Sequence, residues 1–179
     1  MTLSTPVECE PPENESSGQR FDRLLTANCP ALVRLAASYT NTTSDRDDLF
    51  QEIAVAIWQA LPRFRGESSE RTFLFRVAHN RAIDYLRRHR PPSTPIDADT
   101  ILPDSRPDPE AGLARAQQGE RLRQAIHRLP VPYRQVITLV LEEMSYSEIA
   151  EVLGVTESNV GVRLNRARQL LRTILEERK

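Results

Sequence analysis

The fold is decided by the stretch Ser145-Tyr146-Ser147-Glu148-Ile149-Ala150-Glu151-Val152-Leu153-Gly154-Val155-Thr156-Glu157-Ser158-Asn159-Val160. Ser147 can cap a short helix at its N-terminus. The buried face of that helix consists of Ile149, Ala150 and Leu153. Gly154 supplies the left-handed residue of a tight turn, after which Val155 fills the core and Thr156 can cap the next helix. The combination predicts a helix-turn-helix; the alternative is a helical hairpin that only packs.

The helix after this turn separates a buried stripe from an outward face. Taken from Val160 at about 100° per residue, the buried stripe continues through Leu164, Ala167 and Leu171. The outward face carries Ser158, Val162, Asn165, Arg166 and Gln169. Arginine pairs with guanine and asparagine with adenine in the major groove, while Arg163, Arg168 and Arg172 at the flanks can meet phosphates. The pattern therefore predicts a helix that reads DNA.

A proline-rich acidic segment precedes this domain. Residues 91–113 contain six prolines and five carboxylates against one arginine, which predicts a semi-extended linker without a core of its own. Residues 114–179 form the second domain. Ahead of the helix-turn-helix, its sequence predicts one helix to about Arg128, a break at Leu129-Pro130 and a helix from Pro132 to about Glu143.

Three helices are predicted in the first domain, residues 18–90, after a short tail. Residues 1–17 combine prolines and serines with four glutamates, and they hold too little apolar surface to order themselves, so we predict a flexible tail. Apolar periodicity from Arg20 onward predicts the first helix, with Pro30 as a potential break. Because no segment alternates with the period of a strand, the sequence predicts an all-α protein of two small helical domains joined by the linker.

The second helix is predicted from about Ser44 to Leu61, and it has an acidic edge. Ser44 or Asp45 can cap its N-terminus, and Pro62 closes it. Its core stripe consists of Leu49, Ile53, Ile57 and Ala60 or Leu61. The edge opposite the stripe carries Asp48, Gln51 and Glu52.

The third helix is predicted from about Arg71 to His89, after a loop of residues 64–70. One of its sides buries Leu74, Val77, Ala78, Ala82 and Tyr85. The other side clusters Arg76, Asn80 and Arg87. The helix therefore offers a basic, amide-bearing surface outward.

The net charge of −1 hides a segregation of charge along the chain. Residues 62–90 carry eight arginines against three carboxylates, a net +5, and residues 160–179 carry six basic side chains against two carboxylates, a net +4. Two separate basic segments predict two contacts with a polyanion. No apolar run approaches the ~20 residues of a membrane span and the start lacks a secretory signal, so we expect a cytoplasmic protein without membrane insertion.

Neither the cysteines nor the histidines form a reactive cluster in the sequence. Cys9 and Cys29 have no histidine or cysteine at metal-ligand spacing, so we expect reduced thiols, no metal and no cofactor. The candidate acid-base groups are His79 with Asp84, and His127 alone. They lack a nucleophile, a metal cluster or a phosphate-binding loop around them, so we predict that the protein is not an enzyme.

Three motifs follow one another along the chain. They are Asp48-Leu49-Phe50-Gln51-Glu52, the helix Phe73 to Arg88, and the set Leu129-Pro130 through Tyr133-Arg134, Glu148-Ile149-Ala150 and Val160 to Arg168. Together they resemble the extracytoplasmic-function sigma factors of bacterial RNA polymerase, the minimal type with sigma regions 2 and 4, and the resemblance covers about Phe21 to Leu175. In that family the first motif docks on core polymerase, the second melts promoter DNA, and the third forms region 4.

The resemblance implies a role for each surface. Core RNA polymerase would bind Asp48, Gln51 and Glu52. The minus-ten element of promoter DNA, with one base flipped out, would contact Phe64, Arg65, Ser68, Ser69, Arg76, Asn80 and Arg87. The minus-thirty-five element would contact Ser158, Val162, Arg163, Asn165, Arg166, Arg168 and Arg172. An anti-sigma factor is a further expected partner, since it would cover the apolar and acidic docking surfaces.

The chain departs from the family's pattern at two places. Phe73 stands where the family usually has tryptophan, which keeps an aromatic side chain but loses the indole donor. Asn159-Val160-Gly161-Val162 replaces the usual Thr-Val-basic-Ser, so we expect a changed minus-thirty-five preference, with Val162 against a thymine methyl. The main alternative is a helix-turn-helix regulator that binds an operator without polymerase; such a protein would usually dimerise, and the sequence has no heptad seam.

Overall fold

The computed structural model describes residues 15–89 and 114–176, and every regular element in these two ranges is helical. The first domain consists of α1 (Ser17–Ala37), α2 (Thr43–Ala60) and α3 (Glu70–His89). The second consists of α4 (Ala114–Arg128), α5 (Val131–Leu141), α6 (Tyr146–Leu153) and α7 (Glu157–Glu176). The predicted all-α class is confirmed. The predicted linker, 91–113, and most of the predicted tail lie outside the described residues.

α1 begins earlier, and runs longer, than its sequence predicts. Ser16 caps it in a capping box: the Gln19 N–H donates to Ser16 Oγ at 3.3 Å, and the Ser16 N–H donates to Gln19 Oε1 at 3.0 Å. The helix therefore starts inside the segment 1–17. Pro30 does not interrupt it. Because Pro30 and Thr26 are both exposed, water can satisfy the Thr26 carbonyl that proline leaves without a donor.

α2 has the predicted core stripe but a different cap. Leu49, Ile53 and Ile57 are buried, and a 3-10 turn at Leu61–Arg63 follows the helix, so the closure at Pro62 is confirmed. The prediction of Ser44 or Asp45 as the cap is wrong, because the Asp45 N–H donates to Thr42 Oγ1 at 3.1 Å. Buried Tyr39 and Thr40 fix where the chain enters the helix, and this choice among successive polar residues cannot be made from the sequence.

The helices of each domain pack around a shared apolar core. α1, α2 and α3 contact one another, and α7 contacts each of α4, α5 and α6. Fully buried side chains in the first domain include Leu32, Leu35, Leu49, Ile53, Ile57 and Leu74. Those in the second include Leu129, Leu139, Ile149 and Leu164. α3 also packs against α6, so the two domains touch.

The helix-turn-helix consists of α6 and α7. Ser145, not the predicted Ser147, caps α6, because the Glu148 side chain returns to the Ser145 N–H at 2.7 Å and completes a capping box. Leu153 was predicted to be buried but is half-buried, and Val152 is buried instead, since α6 packs against α3 as well as α7. Gly154 adopts the predicted left-handed conformation, with φ of 65°. Thr156 caps α7 as predicted, accepting the Asn159 N–H at 3.2 Å.

Candidate nucleic-acid interface

The outward face of α7 is confirmed in both phase and exposure. Its buried stripe includes Val160, Leu164, Ala167 and Leu171, as predicted, and continues to Ile174. Its exposed side chains include Ser158, Val162, Asn165, Arg166, Arg168, Gln169 and Arg172. Arg163 is half-buried at the flank. Because amide, guanidinium and apolar groups share one exposed helix face, α7 can contact both base edges and phosphates.

Two contacts on α7 show how its face is held. The Arg166 guanidinium donates to the Tyr133 hydroxyl on α5 at 3.5 Å, so this contact ties Arg166 to the neighbouring helix. Tyr146, at the start of α6, is 43% exposed, and its ring lies 3.9 Å from where a Cβ on Gly161 would stand. With Val162, 54% exposed, it widens the apolar part of the surface. Tyr146 was not among the predicted site residues, although a glycine in the middle of a helix, Gly161, signals that another group packs closely there.

The loop before α3 is anchored at one end and exposed in the middle. The Phe64 ring packs on the Phe73 ring at 4.7 Å between centroids, and the Arg20 guanidinium lies 5.0 Å from the Phe64 centroid. Arg65 and Ser69 are exposed. The hydroxyl of Ser68 is buried and has no hydrogen-bond partner among the described residues. A buried hydroxyl without a partner is uncommon, and a base edge could supply one.

Two arginines of α1 form ion pairs with Glu70, which directly follows this loop, and these pairs were not predicted from the sequence. Glu70 accepts hydrogen bonds from Arg20 at 2.7 Å and from Arg23 at 3.1 Å. Burial opposes ionisation of Glu70, but the hydrogen bonds from Arg23 and Arg20 outweigh it and lower the pKa of the carboxyl. Since Arg20 also lies over Phe64, α1 fixes the loop through charge. The partners are about fifty residues apart, and no local pattern signals the pairing.

The outward side of α3 is only partly free. Asn80 and Arg87 are exposed, and Arg87 donates to Asp84 at 3.3 Å. Arg76 is half-buried; its Nη1 lies 3.5 Å from Glu151 Oε1 on α6, and its guanidinium lies over Phe73. Arg76 therefore contacts Phe73, the ring on which Phe64 of the loop packs, and it also pairs with Glu151 of the second domain.

The candidate polymerase-binding edge lies on α2. Asp48 and Gln51 are exposed, and Glu52 accepts a hydrogen bond from Arg88 on α3. Burial, followed by the carboxylates of Asp45, Asp48 and Glu52, raises the pKa of Tyr85. The same edge continues to Val55 and Trp58, which are 54% and 49% exposed. These two apolar residues were not predicted, although their spacing from Asp48 and Gln51 contained the signal.

The candidate acid-base groups lie apart from these surfaces. His79 is buried beside the Tyr39 hydroxyl, and burial lowers the pKa of its imidazole to about 4. His127 donates to the Ala37 carbonyl at 2.6 Å, and its pKa is also about 4, mainly because of burial. Within residues 15–89 and 114–176, no cluster of histidine, cysteine and carboxylate side chains could hold a metal ion. Over the same ranges no helix is long and apolar enough to cross a membrane.

Two family matches cover these same domains. Residues 24–91 match the family described as Sigma-70 region 2, and residues 119–171 match Sigma-70, region 4. RNA polymerase sigma factor YlaC of Bacillus subtilis is 39% identical over 124 residues, 68% of this chain and 72% of its own length. RNA polymerase sigma-H factor of Pseudomonas aeruginosa is 30% identical over 167 residues, 87% of this chain and 86% of its own.

Solved structures have the same fold. That of CnrH in complex with the cytosolic domain of CnrY has a TM-score of 0.68 and 28% identity, covering 90% of this chain and 91% of that one. The sigma factor RpoE of Bartonella quintana, in complex with the anti-sigma factor NepR, has a TM-score of 0.68 at 23% identity over 88% of this chain and 98% of that one, and supports the fold alone.

The chain belongs to the sigma-70 family of RNA polymerase sigma factors. It has regions 2 and 4, and it is an extracytoplasmic-function sigma factor. It is therefore a transcription initiation factor that binds core RNA polymerase and directs it to promoters, not an operator-binding regulator that acts without polymerase.

Proposed function

We propose that the two domains divide promoter recognition between them. The loop 64–69 and α3 contact the minus-ten element, and the exposed face of α7 reads the minus-thirty-five element. The observation that carries this proposal is the pair of separate basic surfaces, each with an exposed asparagine, at Asn80 and Asn165. We further propose domain boundaries at 18–90 and 114–179.

In the minus-ten contact, one non-template base leaves the stack and enters the loop. Flipping a base costs a few kcal/mol, which stacking and edge hydrogen bonds can offset. The Ser68 hydroxyl is a buried group that lacks a partner within the described residues, and Arg65, Ser69 and Asn80 are exposed donors proposed to contact the base. Phe64 keeps the loop in place by packing on Phe73 rather than by facing solvent.

In the minus-thirty-five contact, Asn165 and Arg166 supply base-specific hydrogen bonds, and Arg168 and Arg172 meet phosphates. Ser158 and Arg163 extend the contact toward both ends of the reading face, and Val162 packs against a thymine methyl. Exposure of all these side chains except half-buried Arg163 supports the assignment. No bond is made or broken by the protein itself, so we infer that it needs no cofactor.

The polymerase contact is proposed for α2, through Asp48, Gln51 and Glu52. The protein would then act in the cytoplasm, where core polymerase is found. An anti-sigma factor is a further proposed partner. Its support is that the similar protein CnrH was solved in complex with the cytosolic domain of another protein, CnrY, and that exposed Val55 and Trp58 continue the acidic edge.

Run-off transcription tests this proposal. Purified core polymerase and the chain, on a library of genomic fragments, should yield promoter-dependent transcripts, and core enzyme should co-purify with the chain. Asp48→Asn should reduce both. Glu143→Gln, which removes one exposed carboxylate from the second domain, should reduce neither. Absence of any promoter-dependent transcript, without an inhibitor present, would contradict the proposal.

A further inference from the structure

Gly161 lies within the helix α7, although neither the backbone nor the packing requires a glycine there. Its φ is not in the left-handed region, and a Cβ built on it meets only the Tyr146 ring, at an ordinary contact distance of 3.9 Å. An alanine would therefore fit, and it would favour the helix more than glycine does. Close approach of a ligand to the helix, in contrast, would explain a position without a side chain.

The missing side chain leaves the ring of Tyr146 open beside the reading face. Tyr146 is the first residue of α6, and it is exposed. Its Cε2 atom is the atom that faces Gly161. A long side chain at position 161 would extend over this edge of the ring or push it aside. The next residue, Val162, is also exposed and apolar.

Tyr146 and Val162 are close enough to form one apolar surface across Gly161. The ring edge lies 3.9 Å from the Cβ built on Gly161. Consecutive Cα atoms are about 3.8 Å apart, so the ring edge lies within about 9 Å of the Val162 Cα. Successive bases along one strand of B-DNA are about 3.4 Å apart. The surface of Tyr146, Gly161 and Val162 can therefore span two neighbouring base pairs.

The position of this surface within the helix-turn-helix directs it toward the major groove. In this motif the N-terminal residues of the second helix contact base edges, and the first helix crosses the DNA backbone. Gly161 and Val162 are the fifth and sixth residues of α7. Exposed Asn165 and Arg166 follow Val162 by three and four residues, and so they share its face of the helix. The apolar surface therefore meets the same base edges as these polar side chains.

The 5-methyl group of a pyrimidine is the group in the major groove that fits an apolar surface. Thymine carries this methyl group beside its O4 acceptor, and 5-methylcytosine carries the same group beside its N4 donor. The carbon atoms of Val162 and of the Tyr146 ring make no hydrogen bond to either neighbour. Contact with them therefore depends on the methyl group, which uracil and unmodified cytosine lack.

We propose that Tyr146, Gly161 and Val162 form a binding site for the 5-methyl group of a pyrimidine in the minus-thirty-five element. Tyr146 is then a specificity-determining residue contributed by α6. This inference rests on the proposed reading of that element by α7. It extends the apolar contact from one side chain, Val162, to a site formed by two helices.

The test measures binding of the chain, assembled with core polymerase, to one promoter made in chemically altered forms. At each position of the minus-thirty-five element, thymine is compared with deoxyuridine, and 5-methylcytosine with cytosine. At one position or two adjacent ones, the methylated base of each pair should bind about fourfold more tightly, the value of one buried methyl group. A response of only one pair supports the site and identifies that base as its ligand.

Variants of the chain distinguish the ring from other sources of this effect. Tyr146→Ala should abolish the ratio between methylated and unmethylated bases, whereas Tyr146→Phe, which keeps the ring and loses the hydroxyl, should retain it. Gly161→Gln places a long polar side chain against the ring edge and should reduce the ratio, but Gly161→Ala should not. Leu175→Ala is the matched control, because it removes an exposed apolar side chain from the same helix about 20 Å away.

Three results overturn the proposal. They are no difference between methylated and unmethylated bases at any position, an unchanged ratio in Tyr146→Ala, and loss of the ratio in Tyr146→Phe, which would assign the effect to the hydroxyl. Failure of the proposed function gives a different result. If binding of the wild-type complex is independent of base identity throughout the element, α7 does not read it; if binding depends on base identity but not on the methyl group, only the present inference fails.

Discussion

α3 and α7 are both basic helices of twenty residues, yet the sequence predicts which residues are buried more accurately for α7 than for α3. α7 buries one stripe and exposes the opposite face, as its periodicity predicts. Of its predicted stripe, α3 buries Leu74, Ala78, Ala82 and Tyr85 and leaves Val77 half-buried. It also buries Phe75 and His79, which lie about 100° around the helix from Leu74 and Ala78. The difference arises because α3 packs against α1, α2 and α6, whereas the outward face of α7 is exposed. The spacing of apolar residues therefore predicts the face that a helix buries when it packs on one side, but it misses further buried faces when the helix packs on several sides.

The largest expected effect comes from removing the second packing face of α3. Phe75→Ala should lower the free energy of unfolding by about 3–5 kcal/mol, because Phe75 is fully buried. Val162→Ala, on the exposed face of α7, should change it by less than about 0.5 kcal/mol. Urea denaturation of both variants measures this contrast. Similar losses for the two would show that the faces of α3 and α7 are equally covered.

The buried histidine on α3 should make stability depend on pH. The pKa of His79 is about 4 in the folded protein, because burial disfavours its charged form, and 6.5 when unperturbed. Its contribution is therefore fully present above about pH 6.5 and is lost as the pH falls toward 4. Between pH 7 and pH 5 we expect a loss of about 2 kcal/mol from this group.

His79→Gln is the control for that dependence. In this variant the denaturation midpoint should change less between pH 7 and pH 5, with His127 supplying the remaining slope, since its pKa is also about 4. An unchanged slope would mean that His79 is not the titrating group. The Tyr39 hydroxyl and the nearby Arg134 guanidinium are the polar and charged neighbours on the facing side.

Base reading by α7 should be separable from phosphate binding. Arg166→Ala should cost about 1–3 kcal/mol and relax preference at one position of the minus-thirty-five element, whereas Arg172→Ala should weaken all promoters alike and lower the salt dependence. Binding to a set of single-base promoter variants at two salt concentrations distinguishes these results. A uniform loss for both variants would place Arg166 among the phosphate contacts.

The smallest expected effect on stability comes from a substitution in the turn between α6 and α7. Gly154 has φ of 65° and no atom within 4 Å of a built Cβ, so Gly154→Ala meets backbone strain but no clash. We expect a loss of about 1 kcal/mol in thermal or urea denaturation. Gly119→Ala, also in open space but without the left-handed backbone, should not lose stability. Equal losses of stability for the two variants would show that the left-handed backbone of Gly154 is not the cause of its loss.

Local signals in the sequence predicted local features of the structure. The turn at Gly154, the cap at Thr156 and the buried positions Val160, Leu164, Ala167 and Leu171 of α7 followed from spacing, whereas buried Ile174 was not predicted. Where several polar residues stand in a row, as before α2 and α6, the true cap depended on where buried residues such as Tyr39 place the chain. Spacing alone carries no information about that.

Long-range charge pairs were beyond prediction. Arg34 and Glu142 are 108 residues apart, and Arg20 and Glu70 are 50 apart. Each looks in the sequence like an ordinary surface charge, and only the tertiary structure shows that Glu142 is buried. The candidate site was therefore predicted where a single helix face forms it, as on α7. Arg20 on α1, Tyr146 on α6 and Trp58 on α2 were not predicted, because they belong to other elements or lie outside the motifs that carried the resemblance.

The most direct test of the division of promoter recognition is transcription from a library in which the minus-ten and minus-thirty-five elements are randomised independently. Transcripts made with core polymerase and the wild-type chain, Asn80→Ala or Asn165→Ala are sequenced. Asn80→Ala should change base preference in the minus-ten element only, and Asn165→Ala in the minus-thirty-five element only. Changes by both variants in the same element, or in neither, would contradict the account.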